Sequence, residues 1–231
     1  MAVSPLKSQL EDLLKAHRLQ AEAPPLRGER RLSPLSTGLS ALDQLLDGGW
    51  PRGQLSEAFG LSSSGRTGLA LAAVAHLSRR GALAAWVDPA DRFNPSSAAE
   101  AGVDLARVLW LRGPRPGGLS RAVSATDVLL GSGLFDLVVL DLAGIPASDL
   151  NRLPHTTWLR LQRTVSPLPV ALLLLADAHV AHGPGGASLA LSPEGGHWTG
   201  HGPGRLLTGL TTQASRTRRA QGVRFDLQAF G

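Results

Sequence analysis

Residues 60–67, with the sequence GLSSSGRT, constrain the fold more than any other part of the chain. They follow the pattern of a phosphate-binding loop, which is Gly, four free positions, Gly-Lys and then Ser or Thr, except that Arg66 stands where the pattern has lysine. Such a loop joins a strand to a helix whose first N–H groups bind phosphate. The motif therefore predicts a strand that ends before Gly60, a helix that starts at Thr67, and a fold of the α/β class.

The replacement at position 66 leaves two interpretations open. A lysine there brings a compact charge to the phosphates, whereas the guanidinium of Arg66 is a wide planar fork that cannot simply take its place. However, Lys7 and Lys15 are the only lysines among the 23 basic residues, so Arg66 also fits a general drift from lysine to arginine. The loop either binds nucleotide weakly or persists only as a strand-to-helix turn, and we favour the second interpretation.

The overall composition excludes several classes of protein. The chain has 231 residues, a net charge of +5 and no cysteine, so disulfides and thiolate chemistry are absent. Its longest apolar run, Val170–Ala176, is too short to span a membrane, and the N-terminus lacks the pattern of a signal peptide. We therefore expect a cytoplasmic protein of one domain without a membrane contact. The basic balance permits a nucleic-acid or acidic-protein partner without requiring one.

Changes in composition along the chain predict four segments. Ser4-Pro5 opens an amphipathic helix whose leucine stripe must dock on its own domain, on a neighbouring copy or on another protein, and we favour its own domain. The predicted segments are an N-terminal helical arm (1–20), a linker (21–35), a core (36–204) with a Gly-rich loop (182–204), and a basic C-terminal extension (205–231).

Within the core, short apolar runs alternate with helical segments, which is typical of a parallel α/β sheet. The predicted strands are Gln54–Phe59, Ala82–Val87, Val108–Leu111, Leu137–Leu142 and Val170–Leu175, with edge strands at Leu206–Leu210 and Val223–Leu227. The predicted helices are Ser40–Leu46, Thr67–Arg80, Ser96–Ala101, Leu119–Leu130 and Ala147–Val165.

The buried strand that begins after Asp136 ends in a second acid, Asp141. In phosphate-loop proteins, an acid at such a strand end holds magnesium together with the Ser or Thr of the loop. Its position about seventy residues after the loop, with a strand and helices between, fits that role. The candidate nucleotide-binding residues are Gly60, Ser62, Ser63, Ser64, Gly65, Arg66, Thr67 and Asp141.

The residues that lead into the loop resemble one family in particular. Ser36-Thr37-Gly38-Leu39, Leu42-Asp43 and the turn at 48–53 (GGWPRG) resemble the entry of the RecA family into its phosphate loop, and Ser63-Ser64-Gly65 resembles the loop itself. The likeness extends over roughly Leu35–Leu142. It implies a RecA-like P-loop core with a mostly parallel central sheet, an N-terminal helical arm and a short basic C-terminal extension.

Several departures from that family remove residues that its ATP hydrolysis needs. By resemblance, the water-activating glutamate falls at Ala90, the adenine-stacking tyrosine at Ser97, and the serine after the magnesium aspartate at Leu142. The phosphate-sensing Asn-Gln pair falls at Ala176-Asp177. Together with Arg66, these losses predict a protein that is not an enzyme and needs no cofactor, although weak binding of Mg-ATP is compatible with the sequence.

The layout and the shared losses are similar to the ImuA family, the RecA-like accessory proteins of bacterial SOS mutagenesis cassettes. The resemblance implies a non-catalytic role in SOS-induced error-prone translesion DNA synthesis, in which the C-terminal region contacts ImuB, an inactive Y-family polymerase relative. It implies RecA and an error-prone C-family polymerase as further partners. Two alternatives remain, a DNA-dependent ATPase of the RecA recombinase family and a regulator that binds RecA filaments through the N-terminal arm.

Basic residues near the C-terminus are candidates for contact with a partner or with DNA. They could bind phosphates, dock an acidic partner or form a solvated edge, and we place partner docking slightly ahead, with DNA contact indirect. Few aromatic residues accompany them, so the usual stacking platform for single strands is absent. The candidates are Arg205, Arg216, Arg218, Arg219 and Arg224.

Two pairs of histidines have spacings that suggest a metal site. His179 with His182 and His197 with His201 lie in or beside glycine-rich chain without cysteines, and we expect loop histidines and no metal. Trp198 lies in the same glycine-rich segment, and an exposed tryptophan there would mark an interface.

Overall fold

The computed structural model describes residues 33–113, 118–181, 185–217 and 221–228. The helices in these ranges are α1 (Ser40–Leu45), α2 (Arg66–Ser78), α3 (Pro95–Glu100), α4 (Gly118–Gly131), α5 (Ala147–Leu150) and α6 (Thr156–Val165). The strands are β1 (Leu55–Phe59), β2 (Ala84–Asp88), β3 (Val108–Arg112), β4 (Leu137–Asp141), β5 (Ala171–Ala176), β6 (Ser188–Thr199), β7 (Leu206–Arg216) and β8 (Gly222–Gln228).

All eight strands form one sheet in the order β3-β2-β4-β5-β1-β6-β7-β8. The pairs from β3 to β6 are parallel, whereas β6, β7 and β8 pair antiparallel. Strands β2, β4 and β5 are buried along their whole length, as expected for parallel strands that are covered on both faces. The predicted α/β class with a mostly parallel central sheet is confirmed.

Helices cover the two faces of this sheet and create two apolar cores. Alternate residues of one strand enter different cores, so that Leu173 packs with α1 and α2 while Leu172 packs with α4 and α6. Trp50 and Trp86 are fully buried on the α2 side. Within the described ranges, no helix has the length and apolarity needed to cross a bilayer.

The predicted Gly-rich loop at 182–204 is wrong for most of its described part, because residues 188–199 form β6. Leu189 and Leu191 face the core. The residues that follow them pair with β7 through backbone N–H and C=O groups, and glycine carries these groups like any other residue. The extension predicted at 205–231 supplies β7 and β8 to the same sheet, so the boundary after residue 204 divides a continuous hairpin.

The helix predicted over Ala147–Val165 is also wrong in one respect, because it is two helices, α5 and α6. Pro154 lies between them, and proline disfavours helical geometry at the residue before it and lacks an N–H. The N-terminal arm and most of the linker, with the arm's leucine stripe, lie outside the described residues.

Candidate functional site

The loop at 60–67 follows the carboxyl end of β1, beside the carboxyl end of the parallel strand β5. Gly60 follows β1, and its N–H donates to the carbonyl of Ala176 at the end of β5 at 3.2 Å. Ser63 and Gly65 have left-handed backbones, with φ of 63° and 87°, which turn the chain into α2. The helix starts at Arg66, one residue earlier than the sequence predicts. The loop therefore has the strand-turn-helix context that its motif requires.

The side chain of Arg66 lies inside this loop and is only 6% exposed. Its Nη1 donates to the carbonyl oxygens of Gly60 and, at 2.7 Å, of Leu61. Its Nη2 lies 2.5 Å from Oδ1 of Asp177, just beyond the end of β5. The guanidinium is thus held by the protein's own acceptors.

Asp177 joins the loop to a neighbouring turn, because its second oxygen, Oδ2, accepts a hydrogen bond from the Gly144 N–H at 3.1 Å. Sequence reasoning noted Asp177 only as a departure from a phosphate-sensing pair and missed it as the partner of Arg66. The sequence contained one signal for this contact. Two of the departures from the RecA pattern have opposite charges, the cation Arg66 in the loop and the anion Asp177 after β5. The two changes compensate each other electrostatically.

Asp141 at the end of β4 is the acid that the sequence assigns to magnesium. It is 4% exposed, and its Oδ1 accepts a hydrogen bond from the Ala143 N–H at 3.0 Å. Burial raises the pKa of this carboxyl to about 6, with Asp88 contributing to the rise, while the Ala143 bond and the charges of Arg66 and Arg92 oppose it. Asp141 therefore lies within reach of the charges of two guanidinium groups, those of Arg66 and Arg92.

Arg92 is a member of this site that sequence reasoning missed. Its guanidinium packs over the backbone of Gly144, where any side chain would collide with it, and its charge acts on Asp141. The position is four residues beyond β2, so only the fold brings it beside the end of β4. A cation therefore stands next to the carboxylate that would hold a metal.

The turn after β2 contains no free carboxylate for activating water. Asp88 is fully buried, and its oxygens accept bonds from the N–H groups of Arg92 and Phe93 and from Nε1 of Trp110. Asp91 forms a bidentate pair with Arg112, at 2.8 and 2.7 Å, and this bond holds the pKa of Asp91 below its usual value. Pro89 and Ala90, between them, have no acidic side chain.

The glycines of the loop also serve as packing surfaces for the C-terminal strands. A side chain at Gly60 would collide with the carbonyl oxygen of Leu191 on β6. A Cβ at Gly65 would lie 2.6 Å from Oγ1 of Thr212 and 2.8 Å from Cδ1 of Leu227. The outer side of the loop is open, since the side chains of Ser62, Ser63 and Thr67 are exposed, whereas Ser64 is buried.

The candidate arginines of the C-terminal region do not form one cluster in the described part of the chain. Arg216 donates to the Leu45 carbonyl and to Asp47 at 3.1 Å, and Arg224 pairs with Glu194 at 2.8 Å. Arg205 lies over the ring of Trp198 at 5.6 Å. The remaining candidates, Arg218 and Arg219, lie outside the described residues.

Two of the four histidines singled out by spacing, His179 and His197, have other partners. His179 lies with its Nδ1 2.5 Å from Oε2 of Glu57, a fully buried acid that also accepts the N–H groups of Val180 and Ala181. His197 bonds to Thr211 and Asp226, and His182 lies outside the described residues. Among the residues that the structure describes, no group of three or more potential ligands is placed to hold a metal ion.

Comparison with known proteins identifies relatives over the first part of the chain. Residues 26–152 match the family described as the RecA N-terminal domain. The protein RecA of Chlorobaculum parvum is 41% identical over 119 residues, which cover 50% of this chain and 33% of that protein. RecA of Prochlorococcus marinus is 40% identical over 111 residues, which cover 48% of this chain and 28% of that protein. RecA of Rubrobacter xylanophilus is 40% identical over 116 residues, which cover 50% of this chain and 33% of that protein. The match thus spans about a third of the length of these relatives.

Proposed function

Since the chain belongs to the family of the RecA N-terminal domain, we propose that it is a non-catalytic accessory protein of SOS-induced error-prone translesion DNA synthesis. In this role the fold serves as a protein-interaction platform for an inactive Y-family polymerase relative of the ImuB type. RecA and an error-prone C-family polymerase are the further partners, and the location is cytoplasmic. DNA contact is indirect in this proposal.

The observation that carries the proposal is the position of Arg66. In a working phosphate loop, the cation at this place binds the transferring phosphate. Here both terminal nitrogens of Arg66 are already bound, by two loop carbonyls and by Asp177. A nucleotide would have to displace Asp177 from Arg66 to use this charge, in a pair whose arginine side chain is 7% exposed and whose aspartate is 42% exposed.

The lack of a general base supports the same conclusion. Asp88 and Asp91 are the acids nearest to the turn after β2, and both have their oxygens occupied, by backbone and indole N–H groups and by Arg112. Loss of general-base catalysis alone slows a reaction by roughly 10²–10⁴-fold. Hydrolysis would therefore be slow even if ATP were bound.

The residues present also fit a magnesium nucleotide poorly. Asp141 would have to bind the metal as an anion, and the charges of Arg92 and Arg66 already act on it as cations. Magnesium binds through carboxylates and water in a site that keeps several waters, whereas Asp141 is almost completely buried. We therefore infer that the protein needs no cofactor for its role.

One feature favours a second function, a DNA-dependent ATPase of the recombinase family. The loop retains the left-handed turns at Ser63 and Gly65, and Thr67 is exposed at the start of α2, as phosphate binding requires. In that case Arg66 would leave Asp177 when nucleotide binds. The two functions differ in turnover and in dependence on nucleotide.

The test uses the full chain and the inactive Y-family polymerase relative encoded in the same genome. We expect a stable complex on gel filtration without nucleotide, and ATP turnover no greater than that of buffer, with or without single-stranded DNA. Nucleotide at a hundred times its dissociation constant would add about 2.7 kcal/mol to the free energy of unfolding, or roughly 5–11 °C, so thermal unfolding with Mg-ATP measures binding directly.

Two results would overturn the proposal. One is the lack of a complex with the polymerase relative. The other is DNA-stimulated ATP turnover that disappears in the Thr67→Ala variant. Thr67 is exposed, so this change removes the hydroxyl of the loop and leaves the core intact. The second result would establish the recombinase-type ATPase instead.

A further inference from the structure

The far end of the β6–β7 hairpin extends beyond the rest of the sheet. Strand β1 pairs with β6 as far as Ala190, and the described part of β8, which ends at Gln228, pairs with β7 from Gly209 onward. Residues 197–208, here called the distal ribbon, are therefore flanked by no other strand in the described part of the chain. A two-stranded ribbon without flanking strands is marginally stable in water, so a surface packed against one of its faces would stabilise this part of the molecule.

One face of the distal ribbon is apolar and exposed. Trp198 and Leu207 lie opposite each other on the two strands and are 53% and 38% exposed. Both rest on the backbone of Gly196, where a Cβ would come within 2.8 Å of the indole nitrogen and 3.1 Å of Leu207 Cδ1. The guanidinium of Arg205 lies over the indole ring at 5.6 Å. These three side chains, Trp198, Leu207 and Arg205, form what we call the indole face.

The edges of the ribbon are poorly suited to adding another strand. The pairing shifts register between His197 and Trp198, at the start of the ribbon, and between Pro193 and Gly195 just before it. Such irregularities are a known means of preventing edge-to-edge pairing. A partner is therefore expected to approach the face of the ribbon and to bring apolar side chains of its own.

The positive charge of Arg205 beside the indole ring favours a partner with an acidic group. Residues 195–208 contain Arg205 and two histidines but no acid. His197 already bonds to Asp226 and Thr211, whereas Arg205 forms no ion pair among the described residues and stands beside the exposed ring. An acidic group on the partner would therefore complement Arg205.

We propose that the indole face is a docking site for an amphipathic helix of a partner protein, in which acidic residues flank the apolar anchors. A helix presents apolar side chains three and four residues apart, and these can cover Trp198 and Leu207 without using the ribbon edges. Tryptophan and arginine are the residue types that dominate binding energy at protein interfaces. The proposal rests on the proposed function as an interaction platform and assigns to it a surface and a class of partner segment.

The test compares full-length variants by biolayer interferometry against the immobilised polymerase relative. Trp198→Ser and Leu207→Ser are expected to weaken binding at least tenfold, and Arg205→Glu to weaken it with a reduced dependence on salt. Leu206→Ser is the matched control, because Leu206 is 64% exposed but pairs with Thr199 on the opposite face of the ribbon. It is expected to bind within about twofold of wild type, since a change of 1.4 kcal/mol is needed for a factor of ten.

Each outcome separates this inference from the proposed function. If wild type binds and the Trp198→Ser and Leu207→Ser variants bind equally well, the inference is wrong and the proposed function stands. If wild type does not bind, both are wrong. If Trp198→Ser instead abolishes binding of a single-stranded oligonucleotide, or self-association in sedimentation equilibrium, the face serves DNA or a second copy and the helix assignment is wrong.

A second measurement identifies the partner segment. Hydrogen exchange of the polymerase relative, with and without the full chain, is expected to show protection in one helix that has an acidic flank. Reversing that acid to lysine should restore the affinity of the Arg205→Glu variant. Protection confined to a β-strand or to an uncharged segment would contradict the proposal. Circular dichroism and thermal unfolding check that each variant keeps its fold, as expected for exposed positions.

Discussion

Replacement of Asp141 by asparagine is expected to stabilise the protein at neutral pH. The carboxyl of Asp141 is almost completely buried at the end of β4, and burial raises its pKa from 3.8 to about 6. An asparagine has nearly the same shape and keeps an oxygen that can accept the bond from the Ala143 N–H. It avoids the cost of burying a charge, which wild type incurs whenever Asp141 is ionised.

The size of the effect follows from the two pKa values. Because the pKa of Asp141 is higher in the folded state, the folded state binds the additional proton between about pH 4 and pH 6. The free energy of unfolding of wild type therefore falls as the pH rises through this window. At pH 7.5 the loss reaches about 3 kcal/mol, since one pKa unit corresponds to ~1.36 kcal/mol, and at pH 4 it is roughly 0.5 kcal/mol.

Denaturant unfolding and thermal unfolding at pH 4 and pH 7.5 measure this difference. The Asp141→Asn variant is expected to gain about 3 kcal/mol at pH 7.5, or roughly 6–12 °C in the unfolding midpoint, and little at pH 4. Asp149→Asn is the control, because Asp149 is only half-buried and its partner Arg152 is exposed; its effect is expected to stay below about 0.5 kcal/mol at both pH values. A gain that is equal at both pH values, or absent at pH 7.5, would refute the reasoning, because it would mean that folding does not raise the pKa of Asp141.

Three further predictions concern the loop and its surroundings. Gly60→Ala is expected to destabilise the protein by about 1–3 kcal/mol in denaturant unfolding, because the methyl group meets a carbonyl oxygen of β6, whereas Gly195→Ala, which meets nothing within 4 Å, should cost much less. Asp177→Asn should raise the affinity for pyrophosphate, measured by calorimetry, roughly tenfold, because phosphate no longer competes with a carboxylate for Arg66; unchanged affinity would contradict this account of Arg66. Glu57→Ala should cost about 3–5 kcal/mol in unfolding experiments, because it leaves two N–H groups and a histidine without their buried acceptor, and a loss below about 1 kcal/mol would argue against that role.

The strands that are buried on both faces could be predicted from the sequence. Runs such as 137–140 and 171–176 are continuously apolar, which is typical of a parallel strand that is covered on both faces. Strand β6 could not be recognised in the same way, because beyond Leu191 its residues are exposed and include two glycines. Its pairing comes from the backbone and from the neighbouring β7, which a local pattern does not record.

The loop and Asp141 could be predicted as a site from motif and spacing, but the bonds made by Arg66 could not. Its partner Asp177 belongs to the end of another strand, and the two meet only because β1 and β5 are neighbours in the sheet. Arg92 reaches the site for a similar reason, since β2 and β4 are paired. The chemistry of individual side chains in this site depends on the order of the strands, which the sequence leaves undetermined.

The contacts of Gly60 and Gly65 with Leu191, Thr212 and Leu227 have a consequence for how such a motif evolves. Natural selection for a stable sheet is by itself enough to keep both glycines, because any larger residue would push the C-terminal strands away. A lineage that abandoned nucleotide chemistry would thus continue to display most of the motif, losing first the positions that serve the ligand alone. The glycines of such a motif therefore report the packing of the sheet as much as they report a bound phosphate.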